Sequence, residues 1–403
     1  MNIKINVKNI IYITFGIIIL LGLYKPGYVY EVKNLDTMYT IFQFFSLMLC
    51  AVIAVKYFRK LFIPEFILIV GIKLYTLLIT VLMQGSIQDF GYSFIWILCE
   101  IILFSYYLRL KHYLGIKIIY LTLATLVFIN LVSIISFPKG MYNFESERIY
   151  TFLGHANTTS VFSFPLFVLS IIFIKQNIWK YFSCTNIIIC VVSTVLIQSA
   201  TAFVIYTVFI LLNFIFAIKK QFPKRILFTV YVIVMLLSVG IVFFNIQNIF
   251  SFLIENILHR ELNFTNRDYY WGITINYIKN SFLGYGYVAG TSRIGGLGSH
   301  DSLLEILFEG GVFLLFLYTV WFWKISKLLD RARDNEIIKI LILSLTATML
   351  NCITESSISD YKWYILYIIT INEIYYYKNT ALFVKKMNIA NPPLDRCRKV
   401  ENW

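Results

Sequence analysis

The chain reads as an all-α polytopic membrane protein with about 12 transmembrane helices and one long extracytoplasmic loop between spans 9 and 10. Three observations carry this. Of 403 residues, 59% are hydrophobic and 14% charged, with mean hydropathy +0.75, whereas soluble domains carry about 25% charged residues. The apolar residues fall in runs of about 20, enough to cross a bilayer core as a helix. The basic residues, 35 against 21 acidic for a net charge of +14, sort by loop. In a soluble chain that excess would suggest nucleic acid; in a membrane protein its placement matters more than its sum, and no nucleic-acid role is assigned.

In chain order the expected spans are 9–24, 37–55, 62–82, 92–108, 115–137, 158–174, 182–198, 201–218, 226–244, 303–323, 337–353 and 362–377. The first follows Lys4 and Lys8, as a secretory signal would. No small-x-small cleavage site follows Gly22-Leu23-Tyr24-Lys25-Pro26, so it reads as an uncleaved span. With the N-terminus inside, 25 of the 35 basic residues lie in inner segments and nine in outer ones, with Lys73 inside a span. The positive-inside rule then puts both termini in the cytoplasm. Residues 1–403 form a single integral membrane domain, of which 378–403 are a cytoplasmic basic tail. Residues 245–302 form the long extracytoplasmic loop, too aromatic and apolar to read as disordered. The six cysteines show neither metal spacing nor a disulfide framework, and they read as small buried hydrophobes. Lys73 and Glu100 sit at similar depth and read as an ion pair, because an isolated charge there is costly.

The residues suited to chemistry lie on the outer side. The long loop carries Asn266-Arg267-Asp268-Tyr269-Tyr270-Trp271, then Leu283-Gly284-Tyr285-Gly286, and six of the chain's 19 glycines between 284 and 298. Thr265 or Asn266 can cap a helix whose first turn holds Arg267, a corner suited to diphosphate; a plain Arg267–Asp268 pair is the competing reading. His300 is placed at the membrane surface to act as a base near neutral pH or to serve structure alone. Asp301, Glu305 and Glu309 follow at spacing four on one helix face, where they tune His300, bind acceptor hydroxyls, conduct a cation, or simply cap neighbours. A second polar group, Arg148, His155 and Asn157, precedes the sixth span, with Asn157 also readable as an N-cap. There is no Asp-x-Asp, phosphate loop, His-Glu-x-x-His or paired-cysteine site, so no metal and no cofactor is expected.

Taken together, Arg267 with Trp271, Leu283-Gly284-Tyr285-Gly286, His300-Asp301-Ser302-Leu303-Leu304-Glu305, Glu309 and Gly310 or Gly311 resemble the O-antigen polymerase/ligase superfamily. Upstream, Arg148, Gly154, His155 and Asn157 look like that family's Arg, Gly and Asn segment. Two departures stand out: His300-Asp301 replaces the common His-Asn, and Ser199-Ala200 replaces the frequent Ser-Arg before the eighth span, with Arg293 a substitute. The resemblance implies an enzyme of the bacterial cytoplasmic membrane. It would be an inverting, metal-independent glycosyltransferase that moves a glycan from a polyprenyl diphosphate carrier to a sugar hydroxyl. His300, Arg267 and Glu305 would then be catalytic, with Glu305 or Asp301 orienting the imidazole or the acceptor. Arg148, Arg293, Asn157, Asp301, Glu309 and Trp271 would bind substrate. The resemblance further implies polymerisation of repeat units for capsule, exopolysaccharide or O-antigen, alongside a flippase and a chain-length regulator. A ligase acting on another acceptor, or a transporter of lipid-linked oligosaccharide, is the alternative.

Overall fold

A computed structural model describes residues 7–142, 150–218, 222–252, 256, 267–287, 299–355, 358 and 360–390. The chain is an all-α polytopic membrane protein. Its helices are α1 (Val7–Leu23), the short α2 (Gly27–Glu31), α3 (Lys33–Leu61), α4 (Pro64–Leu82) and α5 (Ile87–Ser105), which runs into a π turn at Tyr106–Leu110. There follow α6 (His112–Ser136), α7 (Ala156–Lys175), α8 (Lys180–Leu196), α9 (Ala200–Ile218), α10 (Ile226–Phe244) and α11 (Arg267–Asn280). The last are α12 (Ser302–Leu329), α13 (Glu336–Thr348), the short α14 (Asn351–Thr354) and α15 (Ile365–Ala390). Each of the twelve expected stretches falls on one of these. Nine helices among the described residues are long and apolar enough to cross a membrane, while α1 and α8 are apolar but shorter. The final stretch begins as a 3-10 turn, Tyr361–Tyr364, and α15 continues to Ala390, so the tail expected from residue 378 starts as helix.

Aromatic packing ties α10, α12 and α15 together. Tyr231 of α10 stacks on Phe322 of α12 at 4.4 Å, and Trp321 meets Tyr367 of α15 at 5.4 Å. Trp363 packs on Tyr367 at 4.5 Å, and the Tyr364 hydroxyl donates to the Ile358 carbonyl at 2.8 Å, holding the segment between α14 and α15 against the core. On the other side a two-residue hairpin, β1 (Tyr150–Thr151) with β2 (Gly154–His155), pairs Tyr150 with His155 and Thr151 with Gly154. The hairpin hangs from α6: the Leu153 N–H donates to Asn130 Oδ1 at 2.8 Å and that of Phe152 to Ser133 Oγ at 3.1 Å.

Helix α12 breaks at Gly310–Gly311, where Gly311 takes φ +63° and ψ −161°. Inside a bilayer no water is at hand for the exposed carbonyls, so protein groups must reach them. The 283–286 segment does this. The Tyr285 N–H donates to the Phe308 carbonyl at 2.7 Å and that of Gly286 to the Glu309 carbonyl at 2.9 Å, while the Tyr75 hydroxyl reaches the Gly310 carbonyl at 3.1 Å. The approach requires glycine: a Cβ on Gly311 would collide with the Phe282 carbonyl oxygen, and one on Gly286 with the Thr80 backbone. Two of the sequence motifs, distant along the chain, are therefore one structural unit.

Three expectations change. Lys73 and Glu100 are both fully enclosed but are not an ion pair. The Lys73 ammonium reaches the Ile358 carbonyl at 3.4 Å and lies near the charges of Glu309 and Asp360, whereas Glu100 lies among Tyr24, Asp360 and Lys362. The two helices meet, but these side chains turn to different neighbours. Cys184 is exposed on α8 rather than buried. Finally, Asp301, Glu305 and Glu309, all before the break, turn to different partners: Asp301 caps α12, Glu305 accepts from Ser299 and Glu309 lies near Lys73.

Candidate functional site

Three other parts of the chain converge on one carboxylate, Glu355, just past the end of α14. Its Oε1 accepts from Asn157 Nδ2 at 2.5 Å and from Arg267 Nη2 at 3.0 Å; its Oε2 faces His300 Nδ1 at 3.3 Å. Asn157 sits in the first turn of α7, whose cap is His155: the His155 Nδ1 accepts from the Asn157 N–H at 3.2 Å. That leaves the Asn157 side chain to reach Glu355 and to accept from Ser199 Oγ at 3.2 Å. Asn157 is thus not the N-cap its sequence position suggests. Arg267 is the first residue of α11. Thr265 and Asn266, the caps expected for that helix, lie outside the described residues.

His300 stands in the left-handed region, φ +51°, directly before α12. A residue with a Cβ pays about 1–2 kcal/mol for that conformation, so neighbours must impose it. On one side the Trp271 indole N–H donates to the Ser299 carbonyl at 2.9 Å. The Ser299 hydroxyl in turn donates to Glu305 Oε2 at 2.7 Å, and its N–H approaches the same oxygen at 3.3 Å. On the other side Asp301 caps α12 by accepting from the Leu304 N–H at 2.9 Å, and Ser302 Oγ donates to the Glu355 carbonyl at 2.7 Å.

Charge follows this geometry. Burial by itself raises the Glu355 carboxyl, but the hydrogen bond from His300 and the positive charge of Arg267 outweigh it and hold the group below the usual glutamate range. Asp301 goes the other way: burial pushes it up to about 6, against the pull of its hydrogen bond from the Leu304 N–H.

The expected site residues therefore divide. His300, Arg267 and Asn157 come together. The carboxylate that contacts the imidazole is Glu355, while Glu305 fixes Ser299 beside it. Trp271 is 4% exposed and holds the loop through its indole N–H, so it does not offer a face for sugar stacking. Asp301 and Glu309, 1% and 3% exposed, are enclosed, the first as a helix cap and the second beside Lys73. Arg148 and Arg293 lie outside the described residues. Glu355 was not singled out from the sequence; its one local signal is an acidic side chain at the end of an apolar run with no basic residue near it, in Asn351-Cys352-Ile353-Thr354-Glu355-Ser356-Ser357.

Residues 185–319, from α8 through the break in α12, match a protein-family model described as O-antigen ligase. The match spans about a third of the chain and shows what this stretch is similar to. It takes in Arg267, the 283–286 segment, His300, Glu305 and the Gly310–Gly311 break, whereas Asn157 and Glu355 lie on either side of it. That family's description concerns O-antigen assembly, and the helices of this chain are those of a multi-pass membrane protein. Searches of curated proteins and of solved structures found no match.

Proposed function

We propose that the chain transfers a glycan from a polyprenyl diphosphate carrier to a sugar hydroxyl, at the outer face of the cytoplasmic membrane, and that it does so repeatedly as a repeat-unit polymerase. The observation that carries this is the convergence of His300, Arg267 and Asn157 on Glu355. With the Nδ1–H of His300 donating to Glu355, the neutral imidazole keeps its lone pair on Nε2, the form a general base requires. The acceptor hydroxyl gives its proton to Nε2 while its oxygen bonds to the anomeric carbon. The bond from that carbon to the diphosphate oxygen breaks, and polyprenyl diphosphate leaves with the electron pair. Glu355 stabilises the imidazolium that forms. Diphosphate is already a fair leaving group, so the remaining demand is to neutralise its charge and align the reactants. Arg267 at the start of α11 serves that demand, with Arg148 and Arg293 proposed as further cations.

Polymerisation is preferred because the chain departs from the ligase-like pattern at Asp301 and Ala200 and has short loops elsewhere. The description of the matching family favours a second reading, a ligase that delivers the glycan to a different acceptor. Replacing His300 with Ala in normally inserted protein tests the reaction. Single repeat units should remain on the carrier while long polymer disappears, and unchanged chain length would refute the base. A transporter would instead strand units on the cytoplasmic leaflet, which leaflet-resolved detection of the lipid intermediate reveals. Both termini are placed in the cytoplasm, and a flippase and chain-length regulator are the working partners.

A further inference from the structure

Asn157 holds Glu355 by one end of its amide, and the other end is held by Ser199. The backbone of Asn157 is settled locally: its N–H donates to His155 Nδ1 at 3.2 Å and its carbonyl accepts from the Ser160 hydroxyl at 2.6 Å. The side chain is not, because an amide has donors at one end and an acceptor at the other and can face either way. Glu355 decides the first end. An ionised carboxylate only accepts, so the amide nitrogen must point to it, as it does at 2.5 Å. The amide oxygen is then turned toward the start of α9, where Ser199 Oγ stands 3.2 Å away.

Ser199 is buried and directly precedes α9, and its hydroxyl has two tasks. Its oxygen accepts from the Ala202 N–H at 3.3 Å, the bond of a helix N-cap. A hydroxyl carries one proton, and with the oxygen engaged by the cap that proton goes to Asn157 Oδ1. Among the described residues no other group donates to this amide oxygen. The bonds therefore run one way, from Ser199 to Asn157 and from Asn157 to Glu355, whose second oxygen faces His300 at 3.3 Å.

We propose that Ser199 is a positioning residue of the transfer site: it orients the Asn157 amide, which in turn holds Glu355 in place behind His300. The inference rests on the glycosyl-transfer reading. Full-length protein in lipid nanodiscs is assayed for transfer with lipid-linked glycan extracted from the host's membranes. Substitutions separate the two tasks of the hydroxyl. Ser199→Gly removes the hydroxyl yet caps a helix nearly as well, Ser199→Ala removes hydroxyl and cap together, and Ser199→Thr keeps both. Gly and Ala should lower kcat alike, about fivefold, the scale of one lost hydrogen bond, with KM for the lipid-linked glycan within about twofold. The Ala variant should melt lower than the Gly variant, and Thr should restore transfer. In an Asn157→Ala background no amide is left to orient, so Ser199→Gly should cause no further loss. The proposal is overturned if the Gly variant keeps native kcat, or if it loses the same factor with and without the Asn157 side chain, because Ser199 then serves the helix alone. His300→Ala is run beside these variants. If it abolishes transfer while Ser199→Gly does nothing, only the positioning role fails; if it retains full transfer, the reading beneath it fails instead.

Discussion

Replacing Glu355 with Gln removes one charge and almost no volume, and the surrounding donors dictate how the new amide must sit. Oε1 receives two donors, Asn157 Nδ2 and Arg267 Nη2, while Oε2 meets a single ring nitrogen, His300 Nδ1. The new amide nitrogen therefore avoids the first position, where two donors would oppose it, and settles at the second. There it donates, and His300 Nδ1 must accept, which moves the ring proton to Nε2. The base has then lost the lone pair that takes the acceptor proton, and the imidazolium has lost its counter-charge. General base catalysis contributes about 10²–10⁴-fold, and a loss of that size is expected in kcat, with KM for the lipid-linked donor little changed. Glu355→Asp keeps the charge at a longer reach and should recover part of the loss. The assay is single-turnover transfer in nanodiscs, with glycan chain length on gels as the cellular counterpart. Less than about a threefold loss in folded Glu355→Gln protein, against that expectation, would show that the carboxylate merely ties Arg267 and Asn157 together and that His300 draws nothing from it.

Three further outcomes are expected. Asp301→Asn keeps a good helix cap and removes a carboxyl raised from 3.8 to about 6. A raised acid binds more protons folded than unfolded, so native Asp301 contributes stability that is full below pH 3.8 and lost as pH rises through 6; about 3 kcal/mol separates the two limits. Relative to the Asn variant, the native protein should lose that amount between pH 3.8 and 7 in denaturant titrations, and parallel stability curves would contradict the assignment. Gly311→Ala places a side chain at φ +63° and against the Phe282 carbonyl. It should cost about 3 kcal/mol or more, visible as lost folded protein, and normal expression would show that the break in α12 tolerates a Cβ. Arg267→Lys should raise KM for the lipid-linked donor roughly tenfold, because an ammonium cannot make paired contacts to diphosphate; full activity would show that a point charge suffices.

Much of this molecule is legible without coordinates. Apolar runs as long as a bilayer is thick place most helix ends to within several residues, because hydrocarbon requires every backbone group to be bonded within its own segment, although α15 runs on to Ala390. His300 and Asn157 stand out as polar residues at the edges of such runs, and Arg267 as a cation within the long loop. What a linear reading cannot supply is which polar groups share a partner. Asn157 and Glu355 are separated by 198 positions, and the one local signal at Glu355, the lack of a basic neighbour, does not name its partners. Glu305 looked like the partner of His300 because it is near in sequence, yet the left-handed turn at His300 directs the imidazole toward Glu355 and leaves Glu305 to Ser299. The same holds for Gly284-Tyr285-Gly286 and Gly310-Gly311, recognisable singly as glycine motifs but intelligible as a unit once the broken helix and the segment that bonds its carbonyls are seen together. The sequence by itself determined the class of protein and its chemically able residues, since bilayer solvation acts on each segment separately. The tertiary structure alone decided which of those residues meet, because that depends on helix packing and backbone turns between parts of the chain far apart in sequence.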